Sequence, residues 1–310
     1  NSPELKFPST TLTTALRKDY FVDGPTGAYQ KYKKELVGGK EVDVIDKAYI
    51  YLTMRRGGRF IYALDVTTPT NPKFLWKIDN TTTGFSELGQ TWSRPRLSVV
   101  KASGTPVLVF GGGYDEKEDA EPPNANTMGR GIYVVNAETG ALVWSAVNTC
   151  AVASSTCKAV SGMTHAIPGD ITFMDRNSDG KTDRMYAADV GGNVWRIDVD
   201  DADVANWTVT KLAALGCTTG VCAAGITPRK FFFPPSVVSL GVAGATGSYE
   251  AVLVGSGDRE HPLKDSANLQ SAYNVQNRFY MIKDTATGTT GNTTPIVHAD
   301  LVNATGTTFT

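Results

Sequence analysis

The sequence has no uninterrupted apolar run near the roughly 18 residues that a membrane span needs, so no membrane insertion is expected of its 310 residues. It also lacks a basic start followed by an apolar stretch. The chain opens at Asn1 without an initiator Met and ends in the polar run Asn303 to Thr310. It reads as an excised or processed segment, with any export signal upstream. Charge of one sign is not in excess: 30 Lys and Arg against 31 Asp and Glu leave a formal net charge of -1. Such a balance provides no field to draw nucleic acid or an anionic membrane surface. There is no G-x-S-x-G, no P-loop and no G-x-G-x-x-G between a strand and a helix. The three histidines, His165, His261 and His298, lie far apart without metal spacing. The chain is therefore read as a non-enzyme.

Cysteine is scarce. The four residues form two close couples, Cys150 with Cys157 and Cys217 with Cys222, spanning the small-residue loops AVASST and TTGV. Neither couple has C-x-x-C spacing and no His is near in sequence, which argues against zinc. Of the three possible pairings, two local loop-closing disulfides are the natural reading, in an oxidising compartment; four buried thiols is the other.

Long amphipathic helices are missing too. Gly, Thr and Pro interrupt almost every window, while Val, Ile, Tyr, Phe and Leu cluster over four to seven residues, the pattern of an all-β chain. A repeat appears when apolar runs ending in glycine are aligned: 47–58, 106–113, 184–192 and 250–258, each followed by a second strand at 60–66, 131–137, 193–199 and 278–284. Further strands precede the pair at 94–100, 168–175 and 234–240, and follow it at 73–78, 141–147 and 206–212. Four antiparallel strands per unit, repeated in tandem, predict a β-propeller, because a sheet with two apolar faces covers both by stacking radially on its neighbours. Blade-like repeats are expected near 20–80, 90–148, 165–215 and 230–302, in one whole or partial propeller over 1–310. The intervals between the aromatic strands, 71, 62 and 85 residues, exceed the roughly 40 to 50 of compact repeats. The surplus is loop insertion, notably at 114–130 and 258–277. A pair of β-sandwiches explains the fourfold recurrence less well.

The most specific segment is Asp175-Arg-Asn177-Ser-Asp179-Gly180-Lys181-Thr-Asp183. Side-chain oxygens stand at loop positions one, three, five and nine, with Gly at six, as in most of an EF-hand calcium loop. Calcium is a hard cation taking about six to eight oxygens, and alternate residues of a tight loop turn theirs inward. Asp175, Asn177, Asp179, the Lys181 backbone carbonyl and Asp183 are the expected ligands. The Glu of position twelve is replaced by Tyr186 and the flanks are strand-like, so a shortened loop on a hairpin is expected, closed by Asp183. The acidic runs Asp115 to Glu121 and Asp198 to Asp203 lack this spacing and are read as solvated surface, the first as a mobile insertion.

These residues carry a resemblance. YFVDG (20–24), GGRFIYALDV (57–66), LGQTWSRP (88–95), VLVFGGGYD (107–115), GRGIYVVNAETGALVW (129–144), LVGSGDREHPL (253–263) and above all DRNSDGKTDRMYAADVGGNVWRID (175–198) resemble the C-terminal propeller of the PilY/PilC family of type IV pilus tip-associated adhesins. The resemblance implies a modified propeller of roughly seven blades, of which these are later ones, with calcium on the ligands named above. It also implies an exported protein, outer-membrane associated or periplasmic in transit, at the cell surface or pilus tip. There it implies roles in pilus biogenesis, retraction control, twitching motility and adhesion. The implied partners are pilus subunits (minor pilins) and an adhesion target on a surface or host cell. No Arg-Gly-Asp occurs, so integrin binding by that motif is not implied.

Two rivals remain. VVNAETGALVW (134–144) looks like the blade motif of quinoprotein dehydrogenases, whose Gly and Trp lock adjacent sheets; those enzymes gather calcium ligands from distant blades, unlike a contiguous loop. The tryptophans 76, 92, 144, 195 and 207 suit a carbohydrate-binding propeller, but their place in the repeat strands favours packing between blades.

Overall fold

The computed structural model describes residues 20–120, 122–220, 222–223, 225–241, 247–261, 275–285 and 294–306. Four sheets follow one another along the chain. The first is β1 (Thr26–Val37), β2 (Lys40–Thr53), β3 (Phe60–Asp65) and β4 (Lys73–Asp79). The second is β5 (Arg96–Ser98), β6 (Val107–Gly111), β7 (Gly131–Asn136), β8 (Leu142–Val147) and β9 (Cys157–Ala159). The third contains β10 (Thr172–Met174), β11 (Arg184–Ala188), β12 (Asn193–Asp198) and β13 (Thr208–Ala214), and the fourth β14 (Ser236–Leu240), β15 (Tyr249–Gly255) and β16 (Phe279–Asp284). Consecutive strands pair antiparallel, with two exceptions. β9 joins β8 in parallel, and β17 (Ile296–Val297) joins β13 in parallel.

The sheets stack face to face in chain order, which explains why their central strands are apolar on both sides. Successive side chains of a strand point to opposite faces. On β6, Leu108 and Phe110 pack toward the first sheet, whereas Val107 and Val109 pack toward the third. On β11, Met185 and Ala187 face the second sheet, and Tyr186 and Ala188 the fourth. All five tryptophans are buried. Trp76 rests on Gly140 of the next sheet, where a Cβ would come within 2.7 Å of the indole, and Trp144 meets Trp207 edge-on at 5.2 Å across the next interface. The glycine and tryptophan of the 134–144 motif thus serve sheet packing.

The stack curves. Arg56, in the loop after β2, reaches Glu260, in the loop after β15, at 2.9 Å, so the first and fourth sheets converge at one end. Curved, face-packed blades of this kind make a β-propeller. Cys150–Cys157 and Cys217–Cys222 are both disulfide-bonded, with no free cysteine. Each bridge lies beside an added parallel strand: Cys157 begins β9, and Thr218 O accepts from Ala299 N just after β17.

The acidic run at Asp115 is a correction to the sequence reading. Asp115 and Glu118 are buried. The Asp115 carboxylate accepts from the backbone of Lys117, Thr127 and Met128, while Glu118 pairs at 2.8 Å with Lys230, itself buried and bound at 2.8 Å by Asp258. Asp115 and Glu118 are thus held inside the fold, Glu118 by a long-range charge match that composition does not reveal, whereas Glu116 and Asp119 are exposed; Glu121 lies outside the described residues. So do residues 262–274 of the insertion at 258–277.

Candidate metal loop

The nine residues 175–183 connect β10 to β11, whose register pairs Met174 with Arg184. Asp183 N donates to Met174 O at 2.9 Å and closes the base of the loop. Thr182 ties it to the second sheet, its N–H donating to Val99 O at 2.8 Å and its hydroxyl lying 2.7 Å from Ser98 Oγ. Between these anchors the chain curls through two left-handed residues, Ser178 (φ 60) and Gly180 (φ 82). A Cβ at Gly180 would meet nothing within 4 Å, so the glycine is required by backbone conformation.

The loop's oxygens turn inward. Asp175 accepts from Asp179 N at 3.2 Å and Gly180 N at 2.8 Å. Asn177 Oδ1 accepts from Asp179 N, and Asp179 Oδ1 from Lys181 N, each at 2.9 Å. Asp183 Oδ2 reaches back to Arg176 N at 2.7 Å and Asn177 N at 3.3 Å. Asp175, Asn177 and Asp179 are exposed, but Asp183 is only 4% exposed, and its Oδ1 is buried with no hydrogen-bond partner among the described residues. Burial, and then neighbouring Asp200, push the Asp183 carboxyl above the usual carboxylate range. Among the described residues no three His, Cys, Asp or Glu side chains form a ready cluster for a metal. The donors are nevertheless hard oxygens around one orphaned, buried carboxylate oxygen, a set suited to calcium rather than to a soft metal.

Two neighbourhoods escape sequence reasoning. The run from Asp198 is not simply solvated. Asp200 lies beside Asp183 and pairs with Lys101; burial works against its charge, but the ammonium holds its carboxyl below the usual range. Asp198 is buried between two arginines, bonded by Arg184 Nε at 2.7 Å and Arg196 Nε at 2.9 Å. These groups form an ionic layer between the third and fourth sheets. Arg196 Nη1 binds Asp284 at 3.1 Å, Glu250 takes Arg184, and the single hydroxyl proton of Tyr186 is shared between Glu250 and Asp284, the latter at 2.8 Å. Arg176, between two expected ligands, donates to Glu250 at 2.6 Å. Three guanidiniums, Arg176, Arg184 and Arg196, thereby face three carboxylates, Asp198, Glu250 and Asp284.

The histidines have separate surroundings: His261 bonds Asp258 at 3.0 Å, His298 lies 3.2 Å from Tyr280 OH, and His165 stands against Gly191.

The model of the PilY1 beta-propeller domain matches residues 18–251. The chain is 31% identical over 147 residues to type IV pilus biogenesis factor PilY1 of Pseudomonas aeruginosa strain UCBPP-PA14, covering 47% of this chain and 11% of that protein. It is 31% identical over 182 residues to a PilY1 homolog of Xylella fastidiosa strain Temecula1, covering 59% and 12%. The chain thus aligns with about a tenth of the length of these relatives. In fold it is similar to the crystal structure of the Pseudomonas aeruginosa PilY1 C-terminal domain, with a TM-score of 0.57 at 22% identity, over 89% of this chain and 52% of that one.

Proposed function

The chain belongs to the PilY1 β-propeller family, and from that premise we propose that it is the calcium-binding propeller segment of an exported type IV pilus tip-associated protein. In this reading it acts without catalysis in pilus biogenesis, control of retraction, twitching motility and adhesion. Its partners are minor pilins and a target on a surface or host cell. The curated relatives carry the name pilus biogenesis factor, which supports the assembly role.

The observation that carries calcium is the buried, donorless Oδ1 of Asp183 in a loop already curled by Ser178 and Gly180. Asp175, Asn177, Asp179, the Lys181 carbonyl and Asp183 would hold the ion. Calcium supplies the positive charge that offsets repulsion among three neighbouring carboxylates. The protein's part is to hold the loop between the anchors on Met174 and Val99, while the apolar cores on either side of the third sheet stand apart from it. Calcium therefore orders one hairpin loop and leaves the propeller folded without it.

Calorimetric titration of calcium into chelator-stripped protein tests this. One site is expected, abolished by either Asp179→Ala or Asp183→Ala, with hydrogen exchange on chelation changing around 175–183 and its immediate contacts while the blade strands stay protected. Absence of binding by the unaltered chain would refute the metal assignment, and global unfolding on chelation would refute the local role.

A further inference from the structure

We infer that Asp200 supplies a further carboxylate to the bound cation from outside the loop, and that Lys101 is the tethered positive charge holding that carboxylate when the cation is absent. This rests on the calcium reading above and extends it to residues beyond the nine-residue loop.

The loop leaves room for such a contribution. Asp175, Asn177, Asp179, the Lys181 carbonyl and Asp183 give five oxygens when each binds through one atom, and the remainder of the about six to eight that calcium takes comes from a second carboxylate oxygen, water or another residue. The residue at loop position twelve, Tyr186, has no role here: it is buried on the far face of β11, with its hydroxyl donating to Asp284. The neighbouring strand provides a substitute. In the antiparallel pair of β11 and β12, Arg184 stands opposite Asp198, and Val199 N donates to Asp183 O at 2.9 Å. Asp200 is the next residue, and its carboxyl lies within hydrogen-bonding reach of the Asp183 carboxyl.

Two carboxylates side by side, one of them buried, repel unless a proton or cation lies between or beside them. On Asp183 the two available amides occupy Oδ2, and Oδ1 has no donor among the described residues. Lys101, in the turn between β5 and β6, pairs with Asp200, and its ammonium is also felt by Asp183 and Asp179. Arg176 also bears on Asp200 but is bonded to Glu250, so the Lys101 ammonium is the mobile positive charge among three acidic groups. It is partly exposed, at 30% of its side chain, on a flexible four-carbon stem that can swing into solvent. A divalent ion bound at Asp183 Oδ1 would satisfy both carboxylates and release it.

Calcium calorimetry together with terbium luminescence lifetimes in H2O and D2O, which count water on the bound ion, tests this on the whole chain. Asp200→Asn is expected to weaken calcium about tenfold, because ligand charge sets affinity in such sites, and to add a water to bound terbium. Lys101→Met is expected to tighten calcium a few-fold, a gain lost in the Asp200→Asn, Lys101→Met double variant. Asp200 is exposed, so thermal midpoints should stay unchanged without metal. Unaltered affinity in Asp200→Asn, or weaker affinity with no added water, would overturn ligation by Asp200 while leaving the loop site standing. No binding by the unaltered chain would overturn both.

Discussion

Glu250→Ala should lower the unfolding free energy by about 3–5 kcal/mol, the usual cost of leaving buried charge uncompensated. Glu250 is 4% exposed and Arg184 1%, and both Arg184 and Arg176 lean on this carboxylate. Its removal takes from Arg184 and Arg176 a carboxylate that they share between two sheets, where water is poorly placed to replace it, and leaves Arg184 with Asp198 as its close partner. Glu250→Gln keeps the shape and part of the hydrogen bonding, and should cost less. The pH dependence follows from the same site. Burial opposes ionisation of Glu250, but hydrogen bonds from Tyr186 and Arg184 outweigh it and hold its carboxyl below the usual glutamate range. A depressed folded-state value means that the contribution is complete above the unfolded-state value and is lost as pH falls through the folded-state value. Denaturant titrations at pH 7 and along the acid limb should therefore show the wild type losing its margin over Glu250→Gln on acidification. A margin unchanged down the acid limb would count against this assignment.

Trp207→Ala is the second large effect, at about 3–5 kcal/mol for truncation of a buried tryptophan. The ring is fully buried, meets Trp144 edge-on, and its indole N–H donates to Asp201 O at 3.0 Å. The second and third sheets meet around this pair, so the cavity falls at a blade interface where neither sheet can close in without shifting its whole face. Trp207→Phe retains most of the contact and loses the hydrogen bond, and should fall well short of the alanine variant. The urea midpoint, at unchanged slope, reports both. Similar midpoints for alanine and wild type would place the blade-locking role elsewhere.

The strand pairs, the propeller class, the burial of the tryptophans and the hairpin setting of the acidic loop were legible because each rests on local patterning. An apolar run such as Val107–Gly111 has one conformation that buries both faces, and D-x-N-x-D-G bends in few ways. Within the two acidic runs read as solvated, Asp115, Glu118 and Asp198 were misjudged for a single reason, while Glu116, Asp119 and Asp203 are exposed as expected. Asp115, Glu118 and Asp198 find their partners at Thr127, Lys230 and Arg184, and sequence reading sees the charge without the partner. The parallel strands β9 and β17 were missed because a two- or three-residue strand has too little pattern to announce itself.

By itself, then, the sequence determined the repeating strands and their two buried faces, the oxygen spacing of residues 175–183 and the local cysteine couples, since each depends on neighbours within about a dozen residues. Only the tertiary structure decided that Arg176 reaches Glu250, that Asp200 comes to Asp183, and that three arginines and three carboxylates share one sheet interface. Those pairings join residues up to 88 positions apart in the chain. Stacking one sheet on the next, and pairing β11 with β12, brings them within hydrogen-bonding distance, and in a buried layer an ion is tolerated only where such a partner arrives.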